Sequence, residues 1–131
     1  MTADLLFVNG IPFFFTLRRK ICFTSVNHLT NRKMETTFKA FKEIYRYYMK
    51  RGFHITTLRA DGEFAPLQAM VYKHIPGRPM INITSANEHV PDIERRIRFV
   101  KERTRDVRHV LPFNKTPKLL TIYIFFTVVR M

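Results

Sequence analysis

Ten carboxylates stand in this chain, at positions 4, 35, 43, 61, 63, 88, 92, 94, 102 and 106, and three of them occupy places where an acid could do chemistry. Asp61 ends the run 53–60, which carries the β-branched Ile55, Thr56 and Thr57, and it precedes Gly62. That is the C-terminal end of an expected parallel strand, where open α/β sheets place their ligands. A turn aspartate bonded to its own backbone is the competing role. Glu94 falls in the first turn of an expected long helix, where a carboxylate complements the helix dipole or completes a cap. Steps of 4, 3, 4 and 3 from Glu94 reach Arg98, Lys101, Arg105 and Arg108, so one acid and four cations share a stripe. An acid at the head of such a track can hold a metal ion while the track holds phosphates. A solvated charged face is the plain alternative. Asp4 opens an apolar strand, where a charge has no packing value, and a frayed terminus would explain it equally well. Spacing alone does not select these three. The remaining acids have ordinary settings: Glu35 and Glu43 lie among Lys and Arg on the outer side of a helix, and Glu102 and Asp106 are flanked by arginines.

The elements that must position these acids follow from hydrophobic period and turn residues. Runs 4–8 and 11–17 are separated by Asn9-Gly10, the pair that supplies the two positive-φ positions of a type I′ hairpin turn. Arg18-Arg19-Lys20 then sets off a third run, 21–26, which completes an antiparallel meander. Over 32–50 the residues Met34, Phe38, Phe41, Tyr45 and Tyr48 recur at steps of 4, 3, 4 and 3 and define one helical face. Gly52 stands where a left-handed cap is expected. The strand 53–60 is then brought parallel to an earlier strand by the helical crossover. Beyond it the sequence predicts a short helix near 64–72, a turn at Pro76-Gly77-Arg78-Pro79, a short strand over 80–84, a loop, and a long helix from about Pro91 to His109. Ile93, Ile97, Val100, Thr104 and Val107 form that helix's core stripe. A last helix from about Pro117 is apolar nearly all round and is expected to be buried. The fold class is α/β with a mixed sheet.

Composition bounds the partners. A chain of 131 residues is one domain's worth, and 46% hydrophobic residues with thirteen Phe and only four Gly describe a packed core. The 23 Lys and Arg exceed the 10 Asp and Glu to give a net charge of +13, which a folded domain tolerates best against a polyanion. Nucleic acid is the first candidate; an anionic membrane surface and an acidic protein are the others. The single cysteine, Cys22, excludes an internal disulfide and suits an intracellular, reducing compartment. It reads as a small buried hydrophobe. No Cys/His zinc pattern and no signal peptide are present, and the apolar stretch 119–129 is shorter than the roughly 20 residues that span a bilayer.

Three strings carry a resemblance. Asp4-Leu-Leu-Phe-Val-Asn-Gly-Ile-Pro-Phe resembles the first strand and hairpin of integrase cores from Copia-like retrotransposons of microbial eukaryotes, in which the catalytic Asp opens the motif. Arg59-Ala-Asp61-Gly-Glu-Phe64 is similar to the segment carrying that family's second Asp. Thr84-Ser-Ala-Asn-Glu-His-Val-Pro-Asp-Ile-Glu94-Arg-Arg-Ile-Arg is similar to the one carrying its Glu. The separations, 57 residues from Asp4 to Asp61 and 33 from Asp61 to Glu94, are close to those usual in the superfamily.

The resemblance implies an RNase H-like fold over 1–131: a mixed five-stranded sheet flanked by helices, the core piece of a longer integrase with its last helix cut short. It implies Asp4, Asp61 and Glu94 as the catalytic, metal-binding triad. Hard oxygen ligands suit Mg²⁺ or Mn²⁺, and a pair of such ions about 3.5–4 Å apart activates an attacking oxygen and stabilises a leaving one. The implied reactions are hydrolysis at a DNA 3′ end and transfer of that 3′-hydroxyl onto a target phosphodiester. Element ends and target DNA are the implied partners, with a second copy of the chain as a further one; no membrane and no small-molecule substrate are expected. The implied location is the nucleus or cytoplasm. Phosphate contacts by Arg98, Lys101, Arg105 and Arg108 are an expectation from the stripe, not from the family. Ser85 and Asn87, in the loop before the catalytic helix, are further nucleic-acid-binding candidates. Glu63 and Asp92 rank below their neighbours Asp61 and Glu94, which match the motif. A basic nucleic-acid-binding module without chemistry and an inactive remnant of an integrase stand as the alternative functions.

Overall fold

A computed structural model of the chain describes residues 1–83 and 91–130. Five strands form one sheet: β1 (Thr2–Val8), β2 (Ile11–Arg18), β3 (Phe23–His28), β4 (Thr57–Ala60) and β5 (Met80–Ile83), in the order β3-β2-β1-β4-β5. The first three are antiparallel, and β4 and β5 run parallel to β1. The helices are α1 (Met34–Met49), α2 (Ala65–His74), α3 (Pro91–Val110) and α4 (Lys118–Arg130).

The period of two in the strands divides the core into two layers. Phe14 of β2 packs with Leu58, Phe41, Leu67 and Val71 on the α1/α2 side. Phe13 and Phe15 face the other way, onto Ile97, Val100, Phe125 and Val128 of α3 and α4. All three phenylalanines are fully buried, as in a sheet covered on both faces. The hairpin between β1 and β2 turns at Asn9 and Gly10 with φ of 52° and 75°, the left-handed pair that the Asn-Gly sequence predicts.

Several boundaries differ from expectation, each for a local reason. The third strand begins at Phe23 because Arg19–Ile21 form a 3-10 turn that ends on Cys22 in the left-handed region. Cys22 is exposed there, not buried. The fourth strand begins at Thr57, because Phe53 belongs to the end of α1: its N–H donates to the Tyr48 carbonyl and that of Gly52 to Met49, the paired bonds of a Schellman cap. The inner face of α1 also includes Thr37, Ala40 and Ile44, with Met34 and Tyr45 at its margins.

Val107 is 39% exposed and is not part of the α3 stripe. Twenty helical residues extend about 30 Å, more than the roughly 23 Å of a seven-residue strand, so the last turn of α3 overhangs the sheet. The last helix is not buried all round either: Leu119 and Tyr123 are 64% and 61% exposed. As an outer layer over β2 and β3, α4 can bury only one side. Among the described residues no helix is long and apolar enough to cross a membrane.

Candidate metal centre and the basic groove beside it

Strand parity and register bring two aspartates together. Asp4 alternates with Leu6 and Val8, whose side chains enter the α3/α4 layer, so Asp4 points to the α3 side of the central strand. On β4, Leu58 and Ala60 enter the opposite layer, which puts Arg59 and then Asp61 on the α3 side as well. Thr2 lies opposite Arg59 in the parallel pairing, so two residues further along each chain Asp4 and Asp61 stand level. Asp61 stands one residue past the end of β4. Its carboxylate makes no capping bond to the 3-10 turn Gly62–Phe64 that follows.

That turn delivers a third acid. The Phe64 N–H donates to the Asp61 carbonyl at 3.0 Å, and the Phe64 ring is fully buried, 6.0 Å from the ring of Phe14. Glu63, held between Gly62 and this anchor, is directed at the aspartates. Carboxylate oxygens of Asp4, Asp61 and Glu63 lie within 4.8 Å of one another. Glu94, on the first turn of α3 beside buried Ile93, lines a narrow cleft with Asp4, Ala60 and Asp61. It stands outside the tighter group of three. Asp92 turns away to an ion pair with Arg19.

The gathered charge is felt most at Asp4. Burial and then the Asp61 carboxylate push its pKa from 3.8 up to about 6, with smaller contributions from Glu63 and Glu94 and a partly offsetting hydrogen bond with the Leu5 backbone.

A cavity of about 380 Å³ opens from this centre along α3, lined by Asp4, Glu94, Ile97, Arg98, Lys101, Glu102 and Arg105. Three of the four stripe cations therefore line one groove with Asp4, Glu94 and Glu102. Arg108 is engaged elsewhere: it donates to Asn9 Oδ1 at 2.9 Å, across the β1–β2 turn, and to Thr116 Oγ1 at 3.4 Å. Ser85 and Asn87 lie outside the described residues. The larger cavity of about 680 Å³ runs along the outer edge of β3 between α1 and α4 and holds one carboxylate, Glu43, which accepts a hydrogen bond from Asn27. It is remote from the acids, so size is a poor guide to the chemistry here.

No family model matches the chain, and no curated protein matches it in sequence. Its fold is nonetheless similar to a solved one, the catalytic core domain of BIV integrase, with a TM-score of 0.66 at 12% identity over 98% of this chain and 79% of that chain. The chain has the RNase H-like fold of an integrase core. At that identity the likeness is one of fold, and the chemistry has to come from the residues.

Within this integrase-core fold, Asp4 lies on the central strand, Asp61 just after its parallel neighbour, and Glu94 at the start of a helix packed on the central strand. The donor set is all oxygen and formally anionic, which suits a hard divalent cation and no soft one. A cation bound there would also offset the burial and the carboxylate repulsion that raise the Asp4 pKa to about 6. The residues fit a divalent metal ion. Glu63, which the motif ranks below Asp61, is brought into the tight group of three because it sits two residues after Asp61, on the turn that Gly62 opens.

Proposed function

We propose that this chain is the catalytic core of an integrase-type polynucleotidyl transferase, of the kind carried by Copia-like retrotransposons of microbial eukaryotes. It hydrolyses a phosphodiester near a DNA 3′ end and joins the freed 3′-hydroxyl to target DNA. Asp4, Asp61 and Glu94 hold Mg²⁺ or Mn²⁺. The single observation that carries this reading is the convergence of Asp4, Asp61 and Glu94 on one cleft at the head of a groove lined by Arg98, Lys101 and Arg105.

A divalent cation held by Asp4, Asp61 and Glu94 would supply Lewis acidity toward the phosphodiester. The chain's own residues do the rest. Arg98, Lys101 and Arg105 hold successive phosphates and so fix the strand's position along α3. Asp4, half-buried against the sheet, and Asp61, fixed by the anchored Phe64 turn, set the depth at which the scissile phosphate stops. Glu94 closes the cleft from the helix side. Ser85 and Asn87 belong to the segment entering α3 and are assigned to the DNA strand on that ground. The reading places the protein where it meets DNA, in the nucleus or the cytoplasm. It takes residues 1–131 as one core domain of a longer element protein. Pairing with a second copy is also part of it.

The test is Mn²⁺-dependent nicking of end-labelled DNA. The parent chain is expected to nick, and Asp61→Asn and Glu94→Gln are expected to lose nicking while keeping DNA affinity. Nicking that survives both substitutions would refute the triad. DNA binding with no metal-dependent nicking in the parent chain would leave the basic binding module as the function.

A further inference from the structure

Glu63 is the feature that the triad leaves unexplained. Among the described residues it forms no hydrogen bond and no ion pair, in a chain with 23 Lys and Arg and a net charge of +13. Glu35, Glu102 and Asp106 likewise form none among the described residues, so what distinguishes Glu63 is its place. Its carboxylate lies within 4.8 Å of those of both Asp4 and Asp61. Its direction is not a matter of side-chain choice alone. The 3-10 turn Gly62–Phe64 is closed by the Phe64-to-Asp61 backbone bond and pinned by the buried Phe64 ring, so the backbone itself presents residue 63 to the aspartates.

We infer that Glu63 is a direct ligand of the divalent ion held by Asp4 and Asp61, a carboxylate beyond the triad. The inference rests on the metal reading above. Three oxygen donors already within 4.8 Å of one another need only small side-chain adjustments to meet a common ion, and like charges held that close favour an occupied site over an empty one. Glu94 is outside this group. Glu63 therefore completes a three-carboxylate site supplied wholly by the sheet and the turn that leaves it, and Glu94 adds to it from the helix.

The measurement is calorimetric titration of the metal-stripped 131-residue chain with Mn²⁺, alongside thermal unfolding in chelator to confirm that each variant is folded. Glu63→Gln is expected to weaken Mn²⁺ binding by about tenfold or more, Glu63→Asp by less, and the remote Glu35→Gln by nothing measurable. Melting in chelator should be unchanged or raised in Glu63→Gln, since a repelling charge has been removed. If Glu63→Gln binds Mn²⁺ within twofold of the parent while Asp4→Asn and Asp61→Asn lose it, Glu63 is no ligand and the metal reading stands without it. If Asp4→Asn and Asp61→Asn also bind as the parent does, both the inference and the metal reading fall.

Discussion

The two long sides of α3 carry similar residues and commit them differently. On the outer side, Arg96 and Arg103 lie over the ring of Phe99 at 5.5 and 4.9 Å, Arg96 donates to Thr24 Oγ1, and Asp92 is paired with Arg19. On the inner side, Arg98, Lys101 and Arg105 line an open groove and make no hydrogen bond or ion pair among the described residues. Each side starts with an acid in the first turn, Asp92 outside and Glu94 inside. With Glu102, which also lines the groove, the inner side carries three cations and two helix acids against two cations and one acid outside, so a charge count scores the two sides alike. What separates them is that the outer cations already have intramolecular partners, whereas the inner ones face solvent beside a cluster of acids.

The sharpest way to break that comparison is to neutralise the two first-turn acids in turn. Glu94→Gln should lower Mn²⁺-dependent nicking by about a thousandfold or more, since a metal ligand supports several kcal/mol of transition-state stabilisation. Asp92→Asn removes only an exposed ion pair and should leave nicking within about threefold. Equal losses in a quantitative nicking assay would mean that the two sides do not differ in function.

The cations give the next largest effect. Lys101→Ala with Arg105→Ala and Arg96→Ala with Arg103→Ala remove the same charge from the same helix. The inner pair should cost about tenfold in DNA affinity and flatten the dependence of log affinity on log salt by about two, one for each lost phosphate contact. For the outer pair both quantities should stay near the parent's. Fluorescence anisotropy over a salt series measures both, and matching slopes for the two double variants would show that net charge alone drives binding.

Much of this was legible in the sequence, and the limits were physical. Asn9-Gly10, Gly52 and the 3.6-residue stripes fixed the hairpin, the α1 cap and both long helices, because each depends on local backbone chemistry. Stepping along a helix from Glu94 found the groove residues Arg98, Lys101 and Arg105 for the same reason. Arg108 satisfies that period yet turns to Asn9, a contact between residues 99 apart that no local rule contains. The approach of Glu63 to Asp4 depends on where β4 lies relative to β1, and register between distant strands is a tertiary fact that no local rule contains. The exposed side of α4 was misread for a related reason: an apolar sequence states what can be buried, not how many neighbours are there to bury it.

A smaller effect concerns pH and sharpens what the acids cost. Asp4 has a native pKa of about 6 against 3.8 for the ordinary group, so between those values the folded chain holds a proton that the unfolded chain has released. Stability from this group therefore falls as pH rises through that window, and the full penalty persists above it. Allowing for the solvent that reaches a half-buried carboxylate, it is on the order of 1–2 kcal/mol. Asp4→Asn should accordingly melt several degrees higher than the parent at pH 7 in chelator, and the two should converge near pH 4. Mn²⁺ should raise the melting temperature of the parent at pH 7 and leave that of Asp4→Asn nearly unchanged. A parent that is stabilised no more than the variant would remove Asp4 from the metal site.

The smallest effect isolates the one stripe cation that leaves the groove. Arg108 bonds Asn9 and Thr116, tying the end of α3 to the hairpin turn and to the segment entering α4. Partly exposed bonds of this kind contribute about 0.5–1 kcal/mol. Arg108→Ala should therefore lower the melting temperature by a few degrees while changing DNA affinity by less than about twofold and the salt slope by less than one unit. Lys101→Ala should do the reverse, since Lys101 lines the groove and anchors nothing. Finding the Lys101 pattern in Arg108→Ala, a full unit of salt slope with no change in melting, would return Arg108 to the phosphate track and extend the inner side of α3 by a turn toward its C-terminus.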